Sequence, residues 1–435
     1  MIYIYNSKTS QKEKFIPVNN PIRMYVCGVT VYNDIHIGNA RPIIFFEFVR
    51  RFFELSGYKI IYVSNITDID DKIINKAIEL NIPESEVANK NIIKLKQNII
   101  DLVRDLPDKM PKATDYIPNM IIAIQKLLDL GFAYIDELGV YFIVSKLKCY
   151  GELVNYDLNA VLSGTRIDVS EKNNANDFIL WKFTNVGIKY DAPFGAGRPG
   201  WHTECAVMND CIWPGMIDIH GGGVDLKFPH HTNETAQTKV LYNHDLANYF
   251  MHVGMINFDH KKMSKSLGNV ILVKDIIKNK QTNALIYLFL QGNYKTPLNF
   301  TWEILEKSSY ELNKIKLILK KALLKLKINQ VTTNNLSNEI ISEFVEKVAD
   351  DFNTANGFMV IQKYLKEISR IKNLEQLSVT YHTIIYLLKV MLIEFNISIT
   401  SNELEKYQKW LELKECKLYE EADQLRLDLI NLGLI

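Results

Sequence analysis

Cysteine is scarce in this 435-residue sequence, and its positions follow no regular spacing. The five cysteines are Cys27, Cys149, Cys205, Cys211 and Cys416. An odd number of cysteines without a framework pattern excludes the disulfide scaffold of a small secreted protein. We therefore expect reduced thiols and a cytoplasmic protein.

Long apolar runs are missing as well. Residues 43–53 form the most apolar stretch, and Glu47, Arg50 and Arg51 interrupt it. A bilayer span needs about 20 apolar residues, so we expect no membrane association. Residues 1–8 show no basic segment followed by an apolar one, and no signal peptide is expected.

A large excess of one charge is also absent, because 51 Lys and Arg residues balance 50 Asp and Glu residues to a net charge of +1. The chain is thus not basic enough to bind nucleic acid over its whole surface, and such contacts must come from local patches. Its length predicts about two to four domains.

Proline and glycine are nearly absent from the last third of the sequence. All twelve prolines lie at or before Pro297, and only Gly357 and Gly433 follow it. Residues 311–328 and 371–395 carry apolar residues at helical spacing. The last ~130 residues therefore read as a helical bundle.

The first two thirds alternate strand-like and helix-like segments. Residues 24–32 and 59–66 are strand-like, and a helix is expected between them over residues 39–56, with Gly57 at its carboxyl end. A second strand–glycine–helix passage covers residues 217–237. This β–α–β pattern predicts an α/β fold with a parallel sheet, and the less regular residues 115–200 read as an insertion.

Two motifs carry groups suited to phosphate chemistry. The first is His36-Ile37-Gly38-Asn39 at a strand-to-helix turn, where helix N–H groups attract anions and Asn39 is the expected N-cap. Taken alone, this motif favours an ordinary capped helix with a partly buried histidine. The second, Lys262-Met263-Ser264-Lys265-Ser266, combines two lysines with two hydroxyls, and Lys265 would stabilise a departing pyrophosphate.

Together these motifs resemble the HIGH and KMSKS signatures of class I aminoacyl-tRNA synthetases, in the same order along the chain. The resemblance implies catalytic roles for His36, Asn39, Lys262 and Lys265, and ATP binding by His36, Gly38, Asn39 and Lys265. One position departs from the family: Asn39 stands where the signature has a second histidine. An asparagine amide still donates a hydrogen bond, so ATP binding is expected to persist.

A third group of residues suits a metal. Cys27 follows a strand, and Cys205 is the last residue of the motif Trp201-His202-Thr203-Glu204-Cys205. His230 and Glu234 are four residues apart, a spacing that places both on one face of a helix. Two thiolates, an imidazole and a carboxylate are typical zinc ligands. A cysteine at a strand end is more often a small buried apolar residue, and Cys27 alone would be read that way.

The sequence motifs around these residues are similar to those of cysteinyl-tRNA synthetases, and all four zinc positions of that family match here. The resemblance implies one zinc ion per chain, substrate contacts from Cys27 and Trp201, and Mg²⁺ accompanying ATP. Zinc would take the substrate thiol as a thiolate, a property that serine lacks.

Three glycines and an acid follow the second strand passage. Gly221, Gly222 and Gly223 would let the backbone lie against adenosine, and Asp225 would accept from a ribose hydroxyl. Without the family match a simple turn explains them. The acidic residues between Asn65 and Lys72 are read as a favourable helix start, with no catalytic role.

The helical tail is expected to bind tRNA. It carries a stripe of lysines, which is read either as a phosphate-binding surface or as a solvated face: Lys314, Lys316, Lys320, Lys321, Lys325 and Lys327. Members of the family commonly continue past the last helix with a short strand, whereas this sequence stops at Ile435. Anticodon recognition is therefore expected to be reduced or built differently.

The sequence thus predicts a Rossmann-like catalytic domain with an insertion, followed by an all-α anticodon-binding bundle. The expected stretches are a first catalytic half, an insertion, a second catalytic half, a connecting region with the lysine loop, and the bundle: residues 1–115, 116–200, 201–255, 256–305 and 306–435. The expected activity is cysteine activation with ATP and transfer to tRNA(Cys), by a monomer. The alternatives are a cysteine ligase with an amino-sugar acceptor, as in the mycothiol pathway, and a non-catalytic tRNA-binding relative.

Overall fold

The computed structural model describes residues 1–154, 176–259, 261–262 and 270–435, and for 261–262 it describes the backbone alone. The chain forms two compact units. The first holds residues 2–275 and 294–298, and the second holds Met1 with residues 276–293 and 299–435. The five-part division expected from the sequence remains a prediction.

The first unit contains most of the strands. They are β1 (Tyr3–Asn6), β2 (Gln11–Lys14), β3 (Ile22–Val26), β4 (Ile60–Ser64), β5 (Ala133–Asp136), β6 (Gly139–Phe142), β7 (Phe178–Phe183), β8 (Gly197–Pro199), β9 (Ile217–Gly223), β10 (Ala247–Val253), β11 (Ile256–Phe258) and β12 (Lys261–Lys262). Its helices are α1 (Ile37–Leu55), α2 (Asp71–Leu80), α3 (Glu84–Val103), α4 (Ile117–Asp129), α5 (Trp201–Ile212) and α6 (Thr232–Tyr242). Helix α7 (Val273–Lys278) and strand β13 (Leu298–Phe300) lie where the chain passes between the units.

The central sheet of the first unit is parallel, with the strand order β10-β9-β3-β4. Helix α1 connects β3 to β4, and α6 connects β9 to β10, so two β–α–β units meet between β3 and β9. Ligands bind in α/β sheets at such a switch point, beyond the carboxyl ends of the strands. The predicted α/β class is confirmed, and this edge is where a site is expected.

Helix α1 begins earlier than the sequence suggested. His36 is its N-cap, and Asn39 is the third helical residue, so the expectation that Asn39 caps the helix is wrong. The Asn39 N–H donates to His36 Nδ1 at 3.3 Å, and the His36 N–H donates to Asn39 Oδ1 at 3.2 Å. This reciprocal pair satisfies two N–H groups at the start of the helix. The ring nitrogen of His36 takes the place of the usual hydroxyl or carboxylate.

The insertion is more regular than its sequence indicated. Strands β5, β6, β7 and β8 form an antiparallel sheet in that order, next to helix α4, while residues 155–175 lie outside the described part. Asp71, the first residue of α2, pairs with Lys182 on β7 and Arg198 on β8. This carboxylate therefore ties the insertion sheet to α2.

The second unit is helical, as predicted. It contains α8 (Thr282–Leu290), α9 (Trp302–Ile328), α10 (Asn338–Val348), α11 (Thr354–Ile368), α12 (Leu374–Val390), α13 (Ser401–Glu415) and α14 (Tyr419–Asn431). Helices α9 to α13 each begin at a side chain that accepts from a backbone N–H of the first turn: Thr301, Ser337, Asn353, Asn373 and Thr400. Such caps fix the starts of helices whose sequence offers few prolines or glycines. Among the described helices of the chain, none is long and apolar enough to span a bilayer.

Candidate active site

The candidate site lies at the switch point of the parallel sheet. Cys27 directly follows β3, and its N–H donates to the Gly221 carbonyl oxygen in β9 at 3.0 Å. His230 lies in the turn that leads from β9 into α6, and Glu234 lies in the first turn of α6. Cys205 comes from α5, which starts directly after the insertion. Four separate elements thus supply the side chains that the sequence grouped as metal ligands.

The structure brings these four side chains together. The ligand atoms of Cys27, Cys205, His230 and Glu234 all lie within 4.8 Å of one another. Cys27 Sγ lies 3.5 Å from Cys205 Sγ and 3.4 Å from Glu234 Oε1. His230 Nε2 lies 2.9 Å from Glu234 Oε1. The four residues therefore form one cluster of thiol, imidazole and carboxylate groups.

The spacing and the unsatisfied atoms of this cluster both fit a bound metal ion. A zinc–sulfur bond of about 2.3 Å places two sulfurs of a tetrahedral site ~3.8 Å apart, close to the spacing of Cys27 and Cys205. Within the described residues, the buried atoms His230 Nε2 and Glu234 Oε2 make no well-aligned hydrogen bond. Poorly aligned polar contacts are costly in a buried cluster, and a cation would give both atoms a well-directed partner.

Burial and mutual contacts set the charges of the cluster. Burial opposes ionisation of Cys205, but the hydrogen bond from Cys27 and the neighbouring His230 outweigh it and lower the pKa of Cys205 to about 6. Burial also opposes ionisation of Glu234, yet His230 and His220 hold its pKa well below the usual range. Burial and the contact with Cys205 raise the pKa of Cys27. One thiolate and one carboxylate are thus available to a cation at neutral pH.

Histidines that the sequence analysis did not assign surround the cluster. His220 Nε2 lies 2.9 Å from Glu234 Oε2, and His220 and His231 form a second metal-competent group with Cys27 and Glu234. His231 Nδ1 lies 2.9 Å from His252 Nε2. Eight of the nine histidines lie between His36 and His260, and this concentration is the sequence signal that could have found them.

Further imidazole contacts line the cluster. His202 Nδ1 lies 2.9 Å from His230 Nδ1, and burial lowers the pKa of His202 to about 3, so its ring is neutral. The Trp201 ring stacks on the His230 ring with centroids 4.0 Å apart, and 38% of Trp201 is exposed. Trp201, predicted as a substrate contact, therefore forms an open wall beside His230.

The predicted phosphate-binding motif lies at the amino end of α1. Gly38 is the second residue of this helix, and His36 and Asn39 are the pair that caps it. The backbone that follows the lysine loop runs alongside: the Ile37 N–H donates to Ile271, and the Val273 N–H donates to Ile35, each at 3.0 Å. The chain thus returns from the loop next to His36.

The predicted lysine loop falls almost wholly outside the described residues. Lys265 lies in residues 263–269, which the structure does not describe, and only the backbone of Lys262, in β12, is described. Lys262 pairs there with Asn257 of β11. The catalytic roles of both lysines therefore remain predictions.

The three glycines serve packing as well as access. A Cβ on Gly221 would stand 2.3 Å from the ring of Phe46 in α1, so this glycine lets the helix pack on β9. A Cβ on Gly222 would meet Leu226, and one on Gly223 would meet the carboxylate of Asp225. Asp225 is exposed just beyond the strand, in the turn Val224–Leu226. The packing at Gly221 was not foreseen, because only the fold places Phe46 opposite it.

The lysine stripe of the tail is less free than its sequence suggested. Lys320 pairs with Glu403, and Lys314 pairs with Glu311. The ammonium groups of Lys325 and Lys327 donate to backbone carbonyls. These intramolecular bonds compete with phosphate binding, so the stripe is not a continuous basic surface.

Comparison with known proteins identifies the class of this fold. Residues 14–310 match the family model of the tRNA synthetases class I (C) catalytic domain. The fold is similar to that of a Mycobacterium tuberculosis methionyl-tRNA synthetase in complex with methionyl-adenylate, with a TM-score of 0.62 over 86% of this chain and 90% of that one. The two sequences are 13% identical, so the likeness concerns the fold alone. The first unit is a class I synthetase catalytic domain.

Curated relatives narrow this class to a family. A cysteine–tRNA ligase from Aster yellows witches'-broom phytoplasma (strain AYWB) is 41% identical over 439 residues, covering the whole of both chains. One from Staphylococcus aureus (strain MRSA252) is 44% identical over 365 residues, covering 82% of this chain and 78% of the relative. The chain belongs to the cysteine–tRNA ligase family, which confirms the resemblance found in its sequence.

Proposed function

We propose that the chain activates cysteine with ATP to cysteinyl-adenylate and transfers cysteine to the 3′ end of tRNA(Cys), using zinc to select the substrate thiol. The cluster of Cys27, Cys205, His230 and Glu234 carries this proposal. Its ligand atoms all lie within 4.8 Å of one another at the switch point of a class I synthetase sheet. The proposed zinc site and the proposed phosphate-binding residues at the start of α1 would therefore share one edge of the sheet.

The cluster is suited to holding Zn²⁺ because its donors are soft thiolates, an imidazole and a carboxylate. When bound, Zn²⁺ supplies a Lewis acid that favours the thiolate of cysteine over the hydroxyl of serine. Shape alone separates such near-isosteres by only ~10²-fold. Glu234 keeps its negative charge because His230 and His220 lie beside it.

Activation joins the carboxylate of cysteine to the α-phosphate of ATP and releases pyrophosphate. His36 and Gly38 at the start of α1 would bind phosphate oxygens, with Mg²⁺ accompanying ATP. The side-chain oxygen of Asn39 accepts the capping hydrogen bond from the His36 N–H, and its amide N–H₂ would donate to phosphate. Lys262 and Lys265 would stabilise the pyrophosphate as it leaves, and Gly222, Gly223 and Asp225 would border the adenosine.

Transfer then moves the cysteinyl group to the terminal adenosine of tRNA(Cys). The helical second unit is the proposed anticodon-binding part, and a monomer in the cytoplasm is the proposed working form. The curated relatives are named cysteine–tRNA ligases, which supports tRNA over an amino-sugar acceptor.

Cysteine-dependent ATP–pyrophosphate exchange tests the activation step directly. The metal-replete chain should show exchange with cysteine, and should then charge tRNA(Cys) and leave glucosaminyl-inositol unmodified. Exchange without tRNA charging, combined with ligation to the amino sugar, would reassign the acceptor. No exchange with any amino acid would indicate a non-catalytic relative.

A further inference from the structure

The two cysteines of the cluster come from parts of the sequence that nothing local holds together. Cys27 follows β3, and Cys205 lies in the second turn of α5, with 177 residues between them. Their sulfurs nevertheless lie 3.5 Å apart without a disulfide. To keep two thiols this close, other residues must hold the segment that carries Cys27 and the helix that carries Cys205 in fixed positions.

Thr67 contacts both segments. Its N–H donates to the Val29 carbonyl oxygen at 3.3 Å, and its own carbonyl accepts from the Val31 N–H at 3.2 Å. Its hydroxyl donates to Glu204 Oε2 at 3.2 Å. One residue thus joins the backbone just after Cys27 to the residue just before Cys205.

Asn65 strengthens the same link from two residues away. Its Oδ1 accepts from the Gly28 N–H at 2.8 Å, and its amide donates to the Thr67 hydroxyl at 3.4 Å. A Cβ on Gly28 would stand 1.7 Å from the Asn65 carbonyl oxygen, so only glycine permits this approach. The segment after Cys27 is therefore pinned against residues 65–67.

Glu204 is an unusual choice for its surroundings. It is 1% exposed, in a helix where an alanine would cost no desolvation, and Thr67 is also 1% exposed. A buried carboxyl group is costly unless hydrogen bonds satisfy it. A buried and hydrogen-bonded polar group beside a metal site is suited to orienting the metal ligands.

We propose that Glu204 is a positioning residue that, through Thr67, fixes the spacing of Cys27 and Cys205 and so sets the metal affinity of the cluster. This inference rests on the proposed zinc site. Glu204 is not itself a ligand, because it belongs to neither group of metal-competent side chains. It acts by holding α5 against the strand segment that carries Cys27.

The test measures zinc affinity by chelator competition on the purified full-length chain, together with the visible spectrum of Co²⁺ bound in place of zinc. Thr67→Val and Glu204→Ala should each weaken zinc binding by ~10–100-fold, the range for outer-shell partners of metal ligands. Both should also shift the Co²⁺ bands. Thr67→Ser keeps the hydroxyl and Glu204→Gln keeps an acceptor, so both should stay within ~3-fold of the original affinity.

Thr203→Val is the matched control. Thr203 is a fully buried threonine in α5 whose hydroxyl donates to the Leu180 carbonyl oxygen. It should lower the melting temperature about as much as Thr67→Val while leaving the Co²⁺ spectrum unchanged.

The outcomes separate the two proposals. If Thr67→Val and Thr203→Val alter the metal site equally, or if Thr67→Ser fails to restore it, the positioning role is overturned and the zinc site stands. Should Glu204→Ala not fold, the Thr67 pair decides alone. A parent chain that binds no zinc overturns both proposals.

Discussion

At the scale of single residues, the cluster depends on where its negative charge resides. Cys205 is the thiol that ionises first, with its pKa lowered to about 6, whereas burial and the bond to Cys205 keep the Cys27 thiol protonated. His230 has its pKa raised to about 10, since Glu234 outweighs the effect of burial. A cation entering at neutral pH would displace protons from both Cys27 and His230.

Loss of Cys205 should therefore empty the metal site. Metal analysis of purified Cys205→Ser should show clear loss of zinc, because a serine hydroxyl stays protonated and binds zinc weakly. Cys149→Ser is the control, since Cys149 is half-buried and belongs to neither metal-competent group. Equal zinc content in the two variants would remove Cys205 from the site.

The predicted catalytic role of Lys265 can be tested by mutation, although this residue lies outside the described part of the structure. Lys265→Ala should lower kcat for adenylation by ~10²–10³-fold, because the charge matters most as pyrophosphate leaves. The KM for cysteine should change little. Lys316→Ala, at an exposed lysine of α9, should match the parent. A normal kcat with a raised cysteine KM would contradict the assigned role.

At the scale of elements, the sequence predicted the pieces better than their ends. The helix after His36 was foreseen, but its first residue was not, because the cap uses a histidine whose position depends on pairing with Ile271 and Val273 more than 200 residues away. Proline and glycine placement predicted the helical tail well. Helix periodicity is a local property, whereas caps and insertion sheets need partners that the sequence does not reveal.

Gly221 offers a test of how α1 packs on β9. Gly221→Ala should destabilise the first unit by about 1–3 kcal/mol, since the added methyl group would overlap the fully buried Phe46 ring. Urea unfolding followed by circular dichroism measures the change. Gly292→Ala is the control, because nothing lies within 4 Å of a Cβ at this exposed position and its effect should stay under ~0.5 kcal/mol. Similar losses in both would refute the packing role.

Asp71 should make the link between α2 and the insertion sheet depend on pH. Partial burial would raise its pKa, but the hydrogen bond from Lys182 and the charge of Arg198 lower it below the usual value. A lowered carboxyl pKa stabilises the fold above ~4, the unfolded value, and this contribution is lost as pH falls through the folded value.

Asp71→Asn should therefore lower the free energy of unfolding of the first unit by about 0.2–1 kcal/mol, the range for so exposed a pair, and equally at pH 7 and pH 5. Melting temperatures measured at the two pH values check this loss. The difference from the parent should shrink below pH ~4. A difference that grows on acidification would contradict this account.

At the scale of the whole molecule, the sequence placed the metal ligands but not their surroundings. The sequence motifs around the four proposed ligands resemble one family, and this resemblance grouped them: Cys27, Cys205, His230 and Glu234. The contacts of His220, His231 and His252 with the cluster were not predicted. They depend on the parallel pairing of β9 with β10, and no local pattern shows which residues that pairing brings together. The link from Thr67 to Glu204 was not predicted either, because the two residues are 137 positions apart in the sequence.

We propose that the chain as a whole selects cysteine by its thiol during activation. Within the predicted insertion, the described residues form a small four-stranded sheet and one α-helix, and we regard this stretch as too short for an editing module. Discrimination against serine should therefore arise before transfer. It should also exceed what pocket shape alone provides.

The most direct measurement is ATP–pyrophosphate exchange with cysteine and with serine, on metal-replete chain of known zinc content. We expect a kcat/KM for serine lower than that for cysteine by at least ~10³-fold, beyond the ~10²-fold that shape supplies. Metal-depleted chain should lose most of its exchange with cysteine. Efficient activation of serine followed by hydrolysis of the mischarged product would contradict thiol selection by the metal site.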